Sequence, residues 1–540
     1  MTRKSQHTPT TRILTRTLAA AAAATTAALL CLAPSAAAAP ATTTNTATTT
    51  TSATTTQSAL PLISIGIGGG DHSGGGSGNH HNGTLPDPGS GNGPVTPPGN
   101  GTVTPPGVGN GTATPPATAG QGGYSKFPSP FFGLSNNNSF IDLAISTIHA
   151  SQRAAWEQGV TVQAVLEWQY PEWSTYDAPG PNSFKASSGR RAGRKSYPQD
   201  VVLWAMRSIV AQDSIGRLGA KVTGDESVTV GSSLDSASNL ESVMIAAYSS
   251  GEITGASNAL SPNGVYTPAA SKAYNFIINT VPRGANGIIS QRIAELQYWA
   301  DMIYMGPPAL AAYGLYAQDA AALQEAYTQI KLDLDVLLYP AGSGSKSGLM
   351  GHIRNEDGSW ADPEVWVTGQ GWTALGVLRV VAALGQSGTF PYPAPTASNI
   401  ADLLRWTGAL LTNVHATFDA SASLWYNYVD TPTTFHDISG SLALAAATYR
   451  LATIAPALVD RAQLANAEAV YERVVPHLQS NGQFGDGLQC VDALSFSTPG
   501  YTSVEALSFG VLLEAARRDF TRAKRGQTTA LIRNLARVQL

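Results

Sequence analysis

Apolar residues recur at the spacing of one helix face in ten stretches of the chain: residues 141–168, 200–218, 234–248, 290–305, 320–338, 373–384, 400–415, 439–454, 461–475 and 503–520. Loops rich in Gly, Pro, Asp and Ser separate them, among them Tyr339-Pro-Ala-Gly-Ser and Phe390-Pro-Tyr-Pro-Ala-Pro. Alternating Val/Ile/Thr runs are scarce, which argues against a parallel sheet. No repeat of fixed period is present, so an open solenoid is disfavoured. The pattern predicts an all-α domain over residues 124–520, with helices paired antiparallel and closed into a barrel of helical hairpins.

The pattern stops upstream of residue 124. Residues 1–16 are basic, 17–33 are rich in Ala and Leu, and Ser35-Ala-Ala-Ala-Ala-Pro40 supplies small residues. This is the order of a signal peptide, predicted over 1–39 and cleaved near Ala39, and it implies an exported, extracellular product. Ala and Thr dilute the stretch too much for a strong membrane anchor. Residues 40–123 are Thr-, Gly- and Pro-rich, with Thr-Pro-Pro repeated from Val95, Val103 and Ala113. Such a composition buries too little apolar surface to offset chain entropy, so a disordered linker is expected there. The Asn-Gly-Thr sequons at Asn82, Asn100 and Asn110 fit a glycosylating secretory route. His80 and His81 are expected to be solvated rather than metal-bound.

Charge narrows the function. Only 13% of the 540 residues are charged, about half the usual fraction. Residues 124–520 hold 34 acids and 23 bases, a net of −11, while 521–540 form a basic tail expected to be solvated and frayed, with a short amphipathic helix as the alternative. The body lacks the basic field that nucleic acid or an acidic membrane surface requires, so neither is an expected partner. Of the two cysteines, Cys31 lies in the leader and Cys490 has no nearby His, which removes a disulfide framework and weakens a Cys-nucleophile reading. No cluster has metal-ligand spacing; no metal and no cofactor are expected.

Two segments carry candidate chemistry. In Val281–Pro308, Ile293, Leu296, Ala300, Ile303 and Tyr304 share one stripe, with Gln297, Asp301 and Met305 at its edge. Pro307 and Pro308 should end the helix, placing Asp301 in its last turn beside the negative dipole end and among Trp299, Met302 and Met305. Both surroundings would favour a protonated carboxyl, as a general acid requires. A structural bond from Asp301 to a loop backbone is the alternative. The second segment holds His352, Arg354 and Trp360, then Trp366-Val-Thr-Gly-Gln370-Gly-Trp372. The Gly-x-Gly before a helix offers backbone N–H groups to an anion or sugar oxygen, and loop Trp side chains offer flat faces to sugar rings. Trp366 and Trp372 could equally belong to the core.

Taken together, these strings resemble glycoside hydrolase family 105, the unsaturated rhamnogalacturonyl hydrolases, particularly secreted fungal-type members, with the family 88 unsaturated glucuronyl hydrolases as close relatives. The resemblance runs from about Tyr124 to Phe520 and is carried by Val281-Pro-Arg, Gln297–Gly314, Gly348–Ile353, Trp366–Trp372, Leu424-Trp425-Tyr-Asn-Tyr, Asp437-Ile-Ser-Gly-Ser and Ser503–Phe509. It implies an (α/α)6 barrel of six hairpins and removal of a 4,5-unsaturated uronic acid from the non-reducing end of pectin-derived, rhamnogalacturonan-type oligosaccharides. It implies Asp301 as acid/base that protonates C4 and assists water at C5, and Asp235, in Ser233-Leu-Asp-Ser-Ala-Ser-Asn239, as the supporting aspartate. His352, Arg354, Trp366, Gln370, Trp372, Gln297 and Trp425 are the implied substrate-binding residues.

The chain departs from the family at two points. Gln291 stands where relatives often show His, and Thr368 where bacterial members carry Arg. An Arg is suited to a bidentate hold on a uronate, so Arg354 or the N–H groups near Gly371 are the expected substitutes. Two other readings stay open on the residues: a conventional glycosidase pairing Asp301 with Glu295 or Asp235, and a non-catalytic carbohydrate-binding protein on a spacer.

Overall fold

A computed structural model describes residues 139–176, 197–219, 231–253, 260–387, 397–491, 495–535, Val538 and Leu540. The expected signal peptide, the linker with its sequons, and residues 124–138 lie outside the described residues.

Thirteen α-helices are formed among the described residues: α1 (Ser139–Ser151), α2 (Ala155–Gln169), α3 (Gln199–Val210), α4 (Leu240–Ser249), α5 (Tyr266–Asn279), α6 (Met302–Ala317), α7 (Ala320–Leu337), α8 (Val367–Ser387), α9 (Ala397–His415), α10 (Ile438–Ile454), α11 (Arg461–Val474), α12 (Val504–Lys524) and α13 (Ala530–Leu535). Helices α2, α4, α6, α8, α10 and α12 form a ring in that order, the step from α2 to α4 being made through the turn Asp235–Asn239 that leads into α4, and α12 packs back on α2 to close it. Around it, α3 lies on α2 and α4, α5 on α4, α7 on α6, α9 on α8, α11 on α10, and α1 on α12. This is the predicted all-α barrel of six hairpins.

Local chemistry sets the helix ends. Asp319 caps α7 by accepting from the amides of Ala321 and Ala322, Asp460 and Gln463 form a reciprocal capping box on α11, and Ser503 caps α12 through the Ala506 amide. Gln318, at φ 58°, makes the tight turn between α6 and α7. The inner helices are buried nearly all round; α10 is buried along its whole length. Deeper in the barrel, charges pair across helices: Arg379 of α8 with Glu241 of α4 at 2.5 Å, and Arg450 of α10 with Glu167 of α2 at 2.6 Å and with Asp519 of α12 at 2.5 Å.

Several expectations need correction. Residues 141–168 form two helices, because Glu157 turns back to accept from the Ala154 amide at 3.0 Å and starts α2 there. α5 escapes the pattern because Ala269, Ala270 and Ala273 supply much of its buried stripe. Residues 290–301 are loop and strand rather than helix, and α6 begins after Asp301. Pro307 and Pro308 lie inside α6, where they remove the amides that would reach the carbonyls of Ile303 and Tyr304. At that spot α8 comes so close that a Cβ on Gly376 would lie 2.3 Å from the Ile303 carbonyl oxygen. The basic tail does not simply fray: α12 runs on to Lys524, and Leu531 and Leu535 of α13 are buried, facing Gly385 of α8.

A small antiparallel sheet lies at one end of the ring, with β1 (Gln297–Trp299), β2 (Ile353–Asn355) and β3 (Trp360–Asp362) in that order. Trp299 pairs with Ile353, and Ile353 with Asp362. These short pairings carry the ends of three distant segments to one place.

Candidate active site

The inner helices begin at a common end. Asn239, just ahead of α4, donates to the Ala155 carbonyl of α2 at 2.9 Å, and Thr368 of α8 donates to Asp437 ahead of α10 at 2.6 Å. Carboxyl groups gather there: Glu157 on α2, Asp235 ahead of α4, Asp301 ahead of α6, Asp437 ahead of α10 and Glu505 on α12. Helix N-termini present free amides and partial positive charge, which suits anions.

Asp301 occupies the N-cap position of α6, but its side chain makes no capping bond. Its carbonyl accepts from the amides of Tyr304 and Met305, and the Ala300 amide donates to the His352 carbonyl at 3.0 Å. The side chain is 16% exposed. The dipole end beside it is therefore positive, the reverse of the expectation drawn from the two prolines. Asp301 Oδ2 lies 3.6 Å from His352 Nε2, an ion-pair separation too long for a hydrogen bond.

His352 is buried, with Nδ1 2.7 Å from Asp362 Oδ2. Tyr428 also donates to that oxygen, at 3.1 Å. The ring packs on Trp366 at 4.6 Å, on Phe496 at 4.7 Å and on Trp299 at 5.8 Å between centroids. Burial works against a charge on His352, but Asp301 and Asp362 outweigh it and raise its pKa above the ordinary value. Burial likewise pushes Asp362 up, and its bond to His352 with further donors brings it below the usual carboxylate range. Both shifts favour a proton held on the ring against Asp362, with Nε2 turned to Asp301.

Asp235 accepts a hydrogen bond from Gln291 Nε2 at 2.8 Å. Burial pushes its pKa up to about 6, assisted by the Asp301 charge and opposed by Gln291, Ser232 and Arg292. Glu505 is buried, and burial together with Asp301, Asp437, Glu157 and Asp235 holds its carboxyl well above the ordinary value. One end of the ring thus joins carboxyl groups whose burial favours the protonated form, Asp235 and Glu505, to the Asp301 side chain beside His352.

Other sequence-derived site residues sit elsewhere or serve differently. Trp366 is in the group, but buried, its Nε1 donating to Asn427 at 3.0 Å. Trp372 is fully buried between Tyr304 and Phe509, with centroids 4.4 and 4.5 Å away, and is core rather than sugar platform. Trp425 is likewise core, its Nε1 donating to the Val414 carbonyl at 2.8 Å. Gln370, fully buried, clamps the Met350 backbone: its Oε1 accepts at 3.0 Å and its Nε2 donates at 2.8 Å. Gln297 is partly exposed and accepts from Trp299 Nε1 at 2.6 Å. Arg354 donates to the carbonyls of Val336 and Gly358 and stacks over Trp360, so its guanidinium serves the end of α7. Gly371 lies inside α8, where a Cβ would come within 2.5 Å of Ala443 on α10; it permits helix contact and forms no open amide turn. Thr368 is spent on Asp437. Cys490 is buried on a two-residue strand.

Sequence reasoning passed over Asp362, Tyr428, Phe496 and Glu505, and used Trp299 only as a neighbour of Asp301. Glu505 lies in one of the strings that carried the resemblance, the single signal that could have raised it. Among the described residues, no group of three or more His, Cys, Asp or Glu is arranged to hold a metal.

Comparison with known proteins agrees with this architecture. Two solved structures share the fold, each described as a possible member of family 105. The one from Salmonella enterica serovar Paratyphi A is 14% identical, covers 72% of this chain and 93% of its own, and has a TM-score of 0.50. The one from Klebsiella pneumoniae is 13% identical, covers 74% and 96%, and has a TM-score of 0.52. No curated protein matches. The family model for Glycosyl Hydrolase Family 88 matches residues 227–511, more than half of the chain, a span that holds Asp235, Asp301, His352 and Glu505. The chain is a glycoside hydrolase and belongs to glycosyl hydrolase family 88.

Proposed function

We propose that the protein hydrolyses 4,5-unsaturated uronides, removing the unsaturated sugar from the non-reducing end of pectin-derived oligosaccharides outside the cell. The observation that carries this reading is Asp301, presented at the barrel end 3.6 Å from the buried His352, with Asp235 and Glu505 as neighbouring carboxyls. Such a group can both give a proton to an electron-rich alkene and accept one from water. Asp301 delivers a proton to C4, the resulting carboxylate takes a proton from the water that adds to C5, and Asp301 ends protonated as it began, with His352 beside it to stabilise the carboxylate formed in between. The C5 hemiketal opens and the aglycone leaves with its hydroxyl restored. No net proton is consumed.

Trp299, half-buried against His352, is the sugar platform of this reading. The uronate carboxylate meets helix N-termini and Arg292. That guanidinium is 31% exposed, lies 4.0 Å from a Glu295 that is itself 64% exposed, and bears on Asp235. Export follows from the leader, and the linker adds reach.

The test is lyase-digested pectin given to the purified protein, alongside saturated uronides with a chromogenic leaving group. Loss of the alkene's ultraviolet absorbance, with the saturated compounds untouched, is expected. Turnover of the saturated compounds would instead favour a conventional pair of catalytic carboxylates. Binding without consumption of either would favour a carbohydrate-binding protein.

A further inference from the structure

Gln291 is only 3% exposed and is pinned at both backbone groups: its amide donates to the Gln297 carbonyl at 2.8 Å and its carbonyl accepts from Ser233 at 2.9 Å. Its Nε2 donates to Asp235 Oδ1 at 2.8 Å and to Ser232 Oγ at 3.1 Å. Its Oε1 is buried and has no hydrogen-bond partner. The amide cannot simply be turned over, because the oxygen would then face the Asp235 carboxylate. A buried amide oxygen left unpaired is costly, and a ligand hydroxyl donating to it removes that cost.

We propose that Gln291 is a two-ended positioning and specificity residue: its Nε2 orients Asp235, and its Oε1 accepts a hydrogen bond from a hydroxyl of the bound unsaturated uronic acid. That sugar carries ring hydroxyls only at C2 and C3, so one of these two is the donor. The inference rests on the reading of Asp235 as part of an unsaturated-uronide site.

Neutrality matters as much as shape. Asp235 is faced by Asp301 from the start of α6, Glu505 from α12 and Arg292 from the loop of Gln291, and Glu157 of α2 and Asp437 bear on Glu505 behind it. A His at position 291 would add a second cation there and hold Asp235 ionised. An amide donates without adding charge, so Asp235 remains able to carry a proton.

The experiment compares wild type, Gln291→Met and Gln291→His on an unsaturated disaccharide and on its 2-deoxy and 3-deoxy analogues, with thermal melts as a fold control. In wild type, one deoxy analogue is expected to raise KM about tenfold to a hundredfold. In Gln291→Met, the parent sugar should show the same rise, and that deoxy analogue no further penalty. The limb of the kcat/KM profile set by Asp235 should move to higher pH in Gln291→Met, where a donor to the carboxylate is lost, and to lower pH in Gln291→His. Equal KM for all three sugars in wild type, or a Gln291→Met enzyme with unchanged KM and pH profile, would overturn the inference while leaving the activity in place. If wild type consumes no unsaturated sugar, the functional reading falls and this one with it.

Discussion

At the scale of residues, the site depends on which group each side chain is bonded to. Asp301→Asn is nearly isosteric and should leave the melting temperature close to wild type while abolishing turnover; retained activity would move the acid/base role elsewhere. Asp362→Asn removes the anion that holds His352 Nδ1. It should lower kcat by tenfold or more, on the order of the smaller general acid–base effects, with little change in KM. The fork over tryptophan resolves toward packing: Trp372→Ala should cost about 3–5 kcal/mol in chemical denaturation, and a loss of sugar affinity without destabilisation would contradict its place in the core. His352 was legible because it stood in a recognisable string. Asp362 was not, because only the pairing of Ile353 with Asp362 brings that carboxylate to the ring. Nothing within its own stretch of sequence marks it.

At the scale of elements, the misread segment is the instructive one. Residues 290–305 show helical apolar spacing, yet 297–299 pair with 353–355 as strands and only the residues after Asp301 are helical. Local pattern and proline chemistry both pointed to a helix ending near Pro307. Tertiary contact won: α6 is buried from Met302 through Tyr316, and that burial offsets two missing backbone bonds. The same error of register explains the tryptophans. Starting the next helix at 373 left Trp366 and Trp372 as loop residues, whereas α8 starts at Val367 and carries Trp372 into the core. The close approach at Gly376 yields a direct check. Gly376→Ala would push a methyl into the Ile303 carbonyl and should destabilise the fold by about 1–3 kcal/mol, with activity falling because α6 sets the position of Asp301. An unperturbed melt would mean that the crossing is looser than described.

At the scale of the whole molecule, the all-α class was legible from the number and spacing of amphipathic stretches and the six-hairpin closure from the family resemblance, and the small sheet was not legible, since three-residue strands leave almost no periodic trace. The ring sets like charges together at its functional end, and this has a stability consequence. Asp235 and Glu505 bind protons more tightly folded than unfolded, so folded stability decreases as pH rises from the ordinary carboxylate range, about 4, through their raised values, about 6 for Asp235. His352 acts in the same direction: its contribution is full below about pH 6.5 and is lost as pH passes its raised value. Melting temperature should therefore fall as pH rises above about 6.5, where His352 and Glu505 lose their contribution and the depressed His149 and His415 no longer pull the other way. Asp235→Asn should melt higher than wild type near pH 7.5 while losing activity. A melt of Asp235→Asn at or below that of wild type would show that this carboxyl is not held at a cost.

Proton delivery to the alkene carbon C4 is read out by hydrolysis in deuterium oxide followed by NMR of the released sugar. The account predicts one deuterium at C4 of the 4-deoxy product with wild type, and no product with Asp301→Asn. Released sugar without carbon-bound deuterium at C4, or an Asp301→Asn enzyme that still labels it, would contradict the account.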